Sequence, residues 1–78
     1  MLAPALEHLV KGIVDHPDDV HVAEKSSARG EVLEVRVTPE DLGRVIGRAG
    51  RTAKALRTLV AALADGKRVR VDVVDTDF

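Results

Sequence analysis

The sequence predicts an α+β domain with its elements in the order α-β-β-α-α-β, a three-stranded mixed sheet with three helices packed on one face. Three observations predict it. Two segments of alternating apolar and polar residues, near 19–25 and 31–37, are separated by the short turn cluster "SSARG", the pattern of a hairpin. Three other segments place apolar residues at helical spacing. A last alternating segment, 67–74, follows the final helix, so it returns through a helical crossover and lies parallel to one neighbour. Each strand has a single apolar face, so the helices must share it.

The elements follow in order. Residues 3–14 read as an amphipathic helix with Leu6, Leu9, Val10 and Ile13 on one stripe and Pro4 in the first turn, where its missing N–H costs nothing. "DHPDD" (15–19) breaks the chain, because Pro17 disfavours helix at the residue before it. Val20 and Val22 flank polar His21 in the first strand; Leu33, Val35 and Val37 point inward in the second. "TPEDLG" opens a short helix: Thr38 as N-cap, Pro39 as first helical residue, Glu40 and Asp41 at the positive end of the dipole, and Leu42, Val45 and Ile46 as the buried stripe. Gly47 and Gly50 interrupt it. A second helix spans about 51–64 with Leu56, Leu59, Val60 and Leu63 as its core face, and Gly66 stops it. Val69, Val71 and Val73 share one face of the last strand.

With 78 residues the chain is one domain, 45% apolar and 32% charged, as in a globular protein. It has no cysteine, so neither disulfide nor thiolate–metal site reinforces it. No long apolar run or secretory pattern is present, and the expectation is a cytoplasmic protein with no membrane association. The net charge is only −1, but it is unevenly spread. Residues 43–64 hold Arg44, Arg48, Arg51, Lys54 and Arg57 and no acid, a local +5 that leaves −6 elsewhere. Such asymmetry makes an anion-attracting face on an acidic body, against the simpler alternative of a solvated helix flank.

That basic stretch contains "GRVIGRAGRT" (43–52). A Walker A loop would need glycine at position 45 and a preceding strand; a dinucleotide fingerprint would need the same glycine. Position 45 is valine and the turn follows a helix, so neither fits. Val45, Ile46, Gly47, Arg48, Ala49 and Gly50 form V-I-G-R-A-G between two helices with a strand on each flank. This resembles the KH domain, whose signature is [VI]-I-G-x-x-G between the two helices of a βααβ core. With a helix and strand before that core, the chain resembles the type II arrangement. "GRVIGRAGRTAKALRTLV" is similar to the small stand-alone bacterial KH proteins of the KhpA family. Ala53 departs from the pattern, since many KH domains carry a larger aliphatic residue there.

The resemblance implies a non-catalytic RNA-binding protein, a post-transcriptional regulator or RNA chaperone, that clamps about four nucleotides of single-stranded RNA. Physical chemistry supports such a clamp. Gly47 and Gly50 let the main chain turn tightly and another backbone come close. The amides opening the second helix lack intrahelical partners and carry the positive end of its dipole. Arg48 and Arg51 are placed for phosphate oxygens, and Arg44 and Lys54 extend the track. Val45, Ile46 and Val37 are candidates for an apolar floor under the bases, core packing being the simpler role for Val37. The RNA-binding set expected from sequence is thus Arg44, Val45, Ile46, Gly47, Arg48, Ala49, Gly50, Arg51 and Lys54. The one aromatic residue, Phe78, is in the tail, so stacking contributes little and binding should be weak and salt-dependent. Gly47→Asp and Arg48→Asp are both expected to abolish it in a folded domain.

Ala55, Thr58, Ala61 and Ala62 lie off the expected core stripe of the second helix, as small helix formers or as a smooth strip on which another helix could pack. The family resemblance implies homodimers and pairing with a larger KH-containing protein, and this strip is the expected contact. The alternative function is therefore that of a protein-interaction subunit. "DHPDDVH" (15–21) reads as a solvated acidic loop; strand and turn geometry around Pro17 scatters its side chains too widely for a metal. No cofactor, metal or catalytic constellation is expected.

Overall fold

The computed structural model describes residues 2–75. Its elements are α1 (Leu2–Lys11), β1 (His21–Ser27), β2 (Gly30–Val37), α2 (Pro39–Ile46), α3 (Arg51–Ala64) and β3 (Val69–Asp75), with single 3-10 turns at Pro17–Asp19 and Arg48–Gly50. The sheet order is β1-β2-β3. β1 pairs antiparallel with β2, and β3 pairs parallel with it, so the α+β order and the mixed sheet are those the sequence predicts.

The central strand organises the core. Leu33, Val35 and Val37 are wholly shielded from solvent, with Val71 beside Leu33 and Val73 beside Val35 in register. Leu6 and Val10 of α1, Val45 of α2, and Leu56 and Val60 of α3 close over this one face. Burying a Val or Leu side chain contributes about 1.5–3 kcal/mol. The opposite face carries Glu34, which accepts from Lys25 Nζ at 3.1 Å and Arg36 Nε at 2.9 Å. These bonds hold the Glu34 carboxyl below the usual range, but pairs open to solvent are screened and contribute little. The buried row of β2 therefore dominates the sheet's stability.

Several expectations are corrected. α1 ends at Lys11 rather than 14, where the Gly12 amide donates back to the His8 and Leu9 carbonyls at 3.3 and 3.2 Å. Leu9 and Ile13 are more than a third exposed, and only Leu6 and Val10 of the expected stripe are buried. β1 runs on to Ser27, so the hairpin loop is just Ala28 and Arg29, closed by the Ser27 and Gly30 pairing. Ser27 Oγ braces it by donating to the Gly30 carbonyl at 3.0 Å. In α2, Leu42 is half-buried and Ile46 is 38% exposed. In α3 the buried residues are Ala53, Leu56, Val60 and Ala64, while Leu59 and Leu63 face solvent. The helix is rotated so that alanine, not leucine, completes the inner stripe.

Thr38 holds the N-cap position, but its side chain makes no capping bond. Its carbonyl accepts from Asp41 and Leu42 at 3.0 and 3.1 Å, and its buried hydroxyl has no partner among the described residues. The polar fastening of this region comes instead from Asp41, expected only to favour the positive end of the helix dipole and in fact buried. Its carboxylate accepts from the backbone N–H of Asp15 at 3.0 Å and of His16 at 2.9 Å, and from His16 Nδ1 at 3.0 Å. The "DHPDD" segment is thus tied to α2 rather than being a free solvated loop.

Burial raises the pKa of Asp41, but the bonds from Asp15 and His16 outweigh it and the net value lies below the ordinary 3.8. The bond to Asp41 raises His16 above its ordinary 6.5, opposed by desolvation and reinforced by the charges of Asp41, Glu40 and Asp15. The Asp41 contribution is present above 3.8 and is lost as acid titrates the lowered group; the His16 contribution is complete below 6.5 and is lost as pH rises through the raised value. Thermal melts across pH should show greatest stability between these limits. His16→Gln should remove the decline that sets in as pH rises above 6.5 while leaving the acid limb in place.

Candidate nucleic-acid interface

The reversal between α2 and α3 takes four residues. Gly47 (φ 79°, ψ 171°), Ala49 (φ 56°, ψ 25°) and Gly50 (φ 75°, ψ 14°) all have positive φ. The Gly47 amide closes α2 on the Gly43 carbonyl at 2.8 Å, and the Gly50 amide donates to the Gly47 carbonyl at 3.1 Å. The Arg51 amide donates to the Arg48 carbonyl. The 3-10 turn thus consumes one amide that the sequence left free at the start of α3. Among the described residues, the N–H groups of Arg48 and Ala49 have no acceptor. The open donors therefore sit on the turn itself.

Arg48 and Ala49 are exposed at its tip, and Gly47 and Gly50 are half-buried. Arg48, Arg51 and Lys54 are exposed and make no ion pair among the described residues. Arg44 differs: its guanidinium meets the Asp15 carboxylate at 3.0 Å, so one end of the expected basic track is neutralised. Arg57 donates from Nε to the Val71 carbonyl at 3.3 Å and lies against β3.

A backbone turn with open amides and three cations without ion pairs has the donors and charge to accommodate an anion. A family model described as KhpA/KhpB, KH domain, matches residues 4–74. The chain belongs to this family. A protein of Leifsonia xyli subsp. xyli named RNA-binding protein KhpA is 87% identical over 75 residues, which cover 96% of this chain and 99% of that protein. Relatives with the same name in Streptomyces coelicolor and Mycobacterium tuberculosis are 69% and 62% identical over 77 residues, covering 99% of this chain and 96% and 95% of theirs. The KhpA/KhpB match runs from α1 into β3, well beyond the V-I-G-R-A-G signature. This is not a family of enzymes. Among the described residues, no helix is long and apolar enough to cross a membrane.

Within this KH domain the expected apolar floor is corrected. Val45 and Val37 are both 0% exposed and support the core from within. Ile46 alone of the three reaches the surface beside the loop. Ala53, the departure from the common KH pattern, is buried under the first turn of α3. Ala55, Thr58, Ala61 and Ala62 are all exposed. Ala55, Thr58 and Ala62 line a shallow, mostly apolar groove with Leu59, Arg51 and Lys54, and Ala61 stands to one side of it. Leu59 was missed because leucine at helical spacing next to Val60 reads as core. Phe78 lies outside the described residues.

The two glycines of the loop are not equivalent. A Cβ at Gly47 would collide with the Thr52 hydroxyl and stand 2.7 Å from its Cβ, whereas one at Gly50 meets nothing within 4 Å. Gly47→Asp therefore disrupts the turn and is no clean probe of binding, contrary to the sequence-based expectation. Chemical denaturation should find Gly50→Ala less stable by about 1–2 kcal/mol, the cost of left-handed backbone. Gly47→Ala should lose about 3 kcal/mol or more, because steric overlap adds to backbone strain.

Proposed function

We propose that this chain is a non-catalytic RNA-binding protein of the cytoplasm, a post-transcriptional regulator or RNA chaperone. It holds single-stranded RNA by its phosphates on the GRAG turn. The observation that carries this reading is the pair of unbonded amides at Arg48 and Ala49, flanked by the uncompensated charges of Arg48, Arg51 and Lys54. The relatives' name, RNA-binding protein KhpA, supports RNA as the polyanion. Ile46 supplies a small apolar contact for a base. With no Phe, Tyr or Trp among the described residues, affinity rests on phosphate contacts, each adding about 0.7 to the slope of log K against log salt for a single strand. Arg48→Asp should abolish binding to a short single-stranded RNA at low salt while leaving the melting temperature unchanged. Equal affinities for wild type and Arg48→Asp would remove the GRAG turn from the reading.

A second reading, compatible with the first, is supported by the apolar groove on the outer face of α3. There the chain pairs with a second copy, or with a larger KH-containing protein, through residues 55–62. Leu59, 42% exposed, is the apolar residue such a contact would cover. Thr58, whose hydroxyl bonds back to the Lys54 carbonyl at 3.0 Å, lies mid-groove. Sedimentation should show a dimer converted to monomer by Thr58→Tyr, and an unchanged sedimentation coefficient removes self-association through this groove.

A further inference from the structure

We propose that the hairpin end of the sheet carries a second phosphate-binding patch, formed by Arg29, Arg68 and Arg70, that holds RNA beyond the segment clamped at the GRAG turn. The inference rests on reading the chain as an RNA binder. The three arginines surround a concavity of about 350 Å³ floored in part by Val32 and Val69. Arg29 is about 40 residues from Arg68 and Arg70, and β2–β3 pairing brings it to them. Glu31 and Val32 lie opposite Val69 and Arg70, and the Glu31 amide donates to the Arg68 carbonyl at 3.0 Å. Gly30 (φ 127°) lets the strands approach so closely; a Cβ there would lie 2.5 Å from the Arg68 carbonyl oxygen.

The electrostatics point to an anion. Lys25, Arg36 and Arg44 each have a carboxylate partner, but among the described residues Arg29, Arg68 and Arg70 have none. Glu31 is the one acid lining the concavity, and it forms no ion pair with them. Three guanidiniums facing one hollow repel one another, and a phosphate chain relieves that repulsion while matching their donor geometry.

The patch is remote from the GRAG turn. Leu63 and Ala64, at the end of α3, share a crevice with Glu31 and Val69, so the C-terminal end of α3 lies at the hairpin end. Arg51, next to the GRAG turn, is a helix length away, about 20 Å. Arg57, against β3, lies between the two. A strand filling only the clamp does not reach the arginines; a longer one does.

The test uses fluorescence anisotropy of the full chain with oligouridylates of about 4 nucleotides, the span of a KH clamp, and about 16 nucleotides. The triple variant R29Q/R68Q/R70Q should bind the long RNA about tenfold more weakly, with its salt slope reduced by about 2 for three lost contacts, and bind the short RNA like wild type. R29K/R68K/R70K should restore most of the loss. R29Q/R70Q leaves the Arg68 packing against Gly30 untouched and should show a smaller loss of the same kind. Unchanged affinity for the long RNA overturns the patch, as does an equal loss for both lengths. If Arg48→Asp abolishes short-RNA binding while the triple variant binds the long RNA normally, the clamp stands and the patch falls. If only the arginine variants matter, the patch stands and the GRAG reading falls. Absence of binding by wild type overturns both.

Discussion

The chain must turn from α2 into α3 within four residues while keeping the two helices in contact, and Gly47 is the position that permits it. Its backbone lies in a region open in practice only to glycine, and Thr52 occupies the space a side chain would need. The turn also holds Ala49 in a left-handed conformation, at about 1–2 kcal/mol for a residue with a Cβ. The sealed row of Leu33, Val35 and Val37 is ample to offset that cost. What the strain secures is the arrangement of donors. Two amides belong to no helix, and Arg48 stands at the tip instead of on a helix flank. Packing of the helices and presentation of the polar backbone are one consequence of one turn.

Asp41 acts at the other end of α2. Its carboxylate gathers two backbone amides and an imidazole from a segment about 25 residues earlier. With the α1–β1 connection fixed there, Asp15 is positioned to reach Arg44. The positive stretch of residues 43–64 is thereby trimmed: Arg44 is neutralised, Arg57 leans on β3, and the uncompensated charge gathers at Arg48, Arg51 and Lys54. A buried polar tie far from the loop thus sharpens the electrostatics beside it.

The strands were legible because alternation has only one reading once one face is apolar; Leu33, Val35 and Val37 could not face water together. The glycine turn was legible because Gly47 and Gly50 sit between two helical patterns. The phase of α3 was not. Leu56 and Val60 belong equally to a stripe completed by Leu59 and Leu63 and to one completed by Ala53 and Ala64, and hydrophobicity alone favours the leucines. Packing chose the alanines, which leaves Leu59 and Leu63 outside. Asp41 was illegible for a different reason: its main partners are backbone amides, which carry no residue-type signature. Arg29 and Arg68 were likewise hidden, because only the parallel pairing of β2 and β3 brings them together.

A chain of net charge −1 is a weak polyelectrolyte partner by its total, so the distribution of charge has to supply what the sum does not. Acids that pair, such as Glu34 and Asp15, take up cations away from the turn and leave the remaining cations in separate groups. Among the described residues there is no Phe, Tyr or Trp on which a base could stack. On the proposed RNA-binding reading, affinity grows by adding modest phosphate contacts along one strand, each raising the effective concentration of the next. The two cationic groups lie near opposite ends of α3, so the helix fixes their separation.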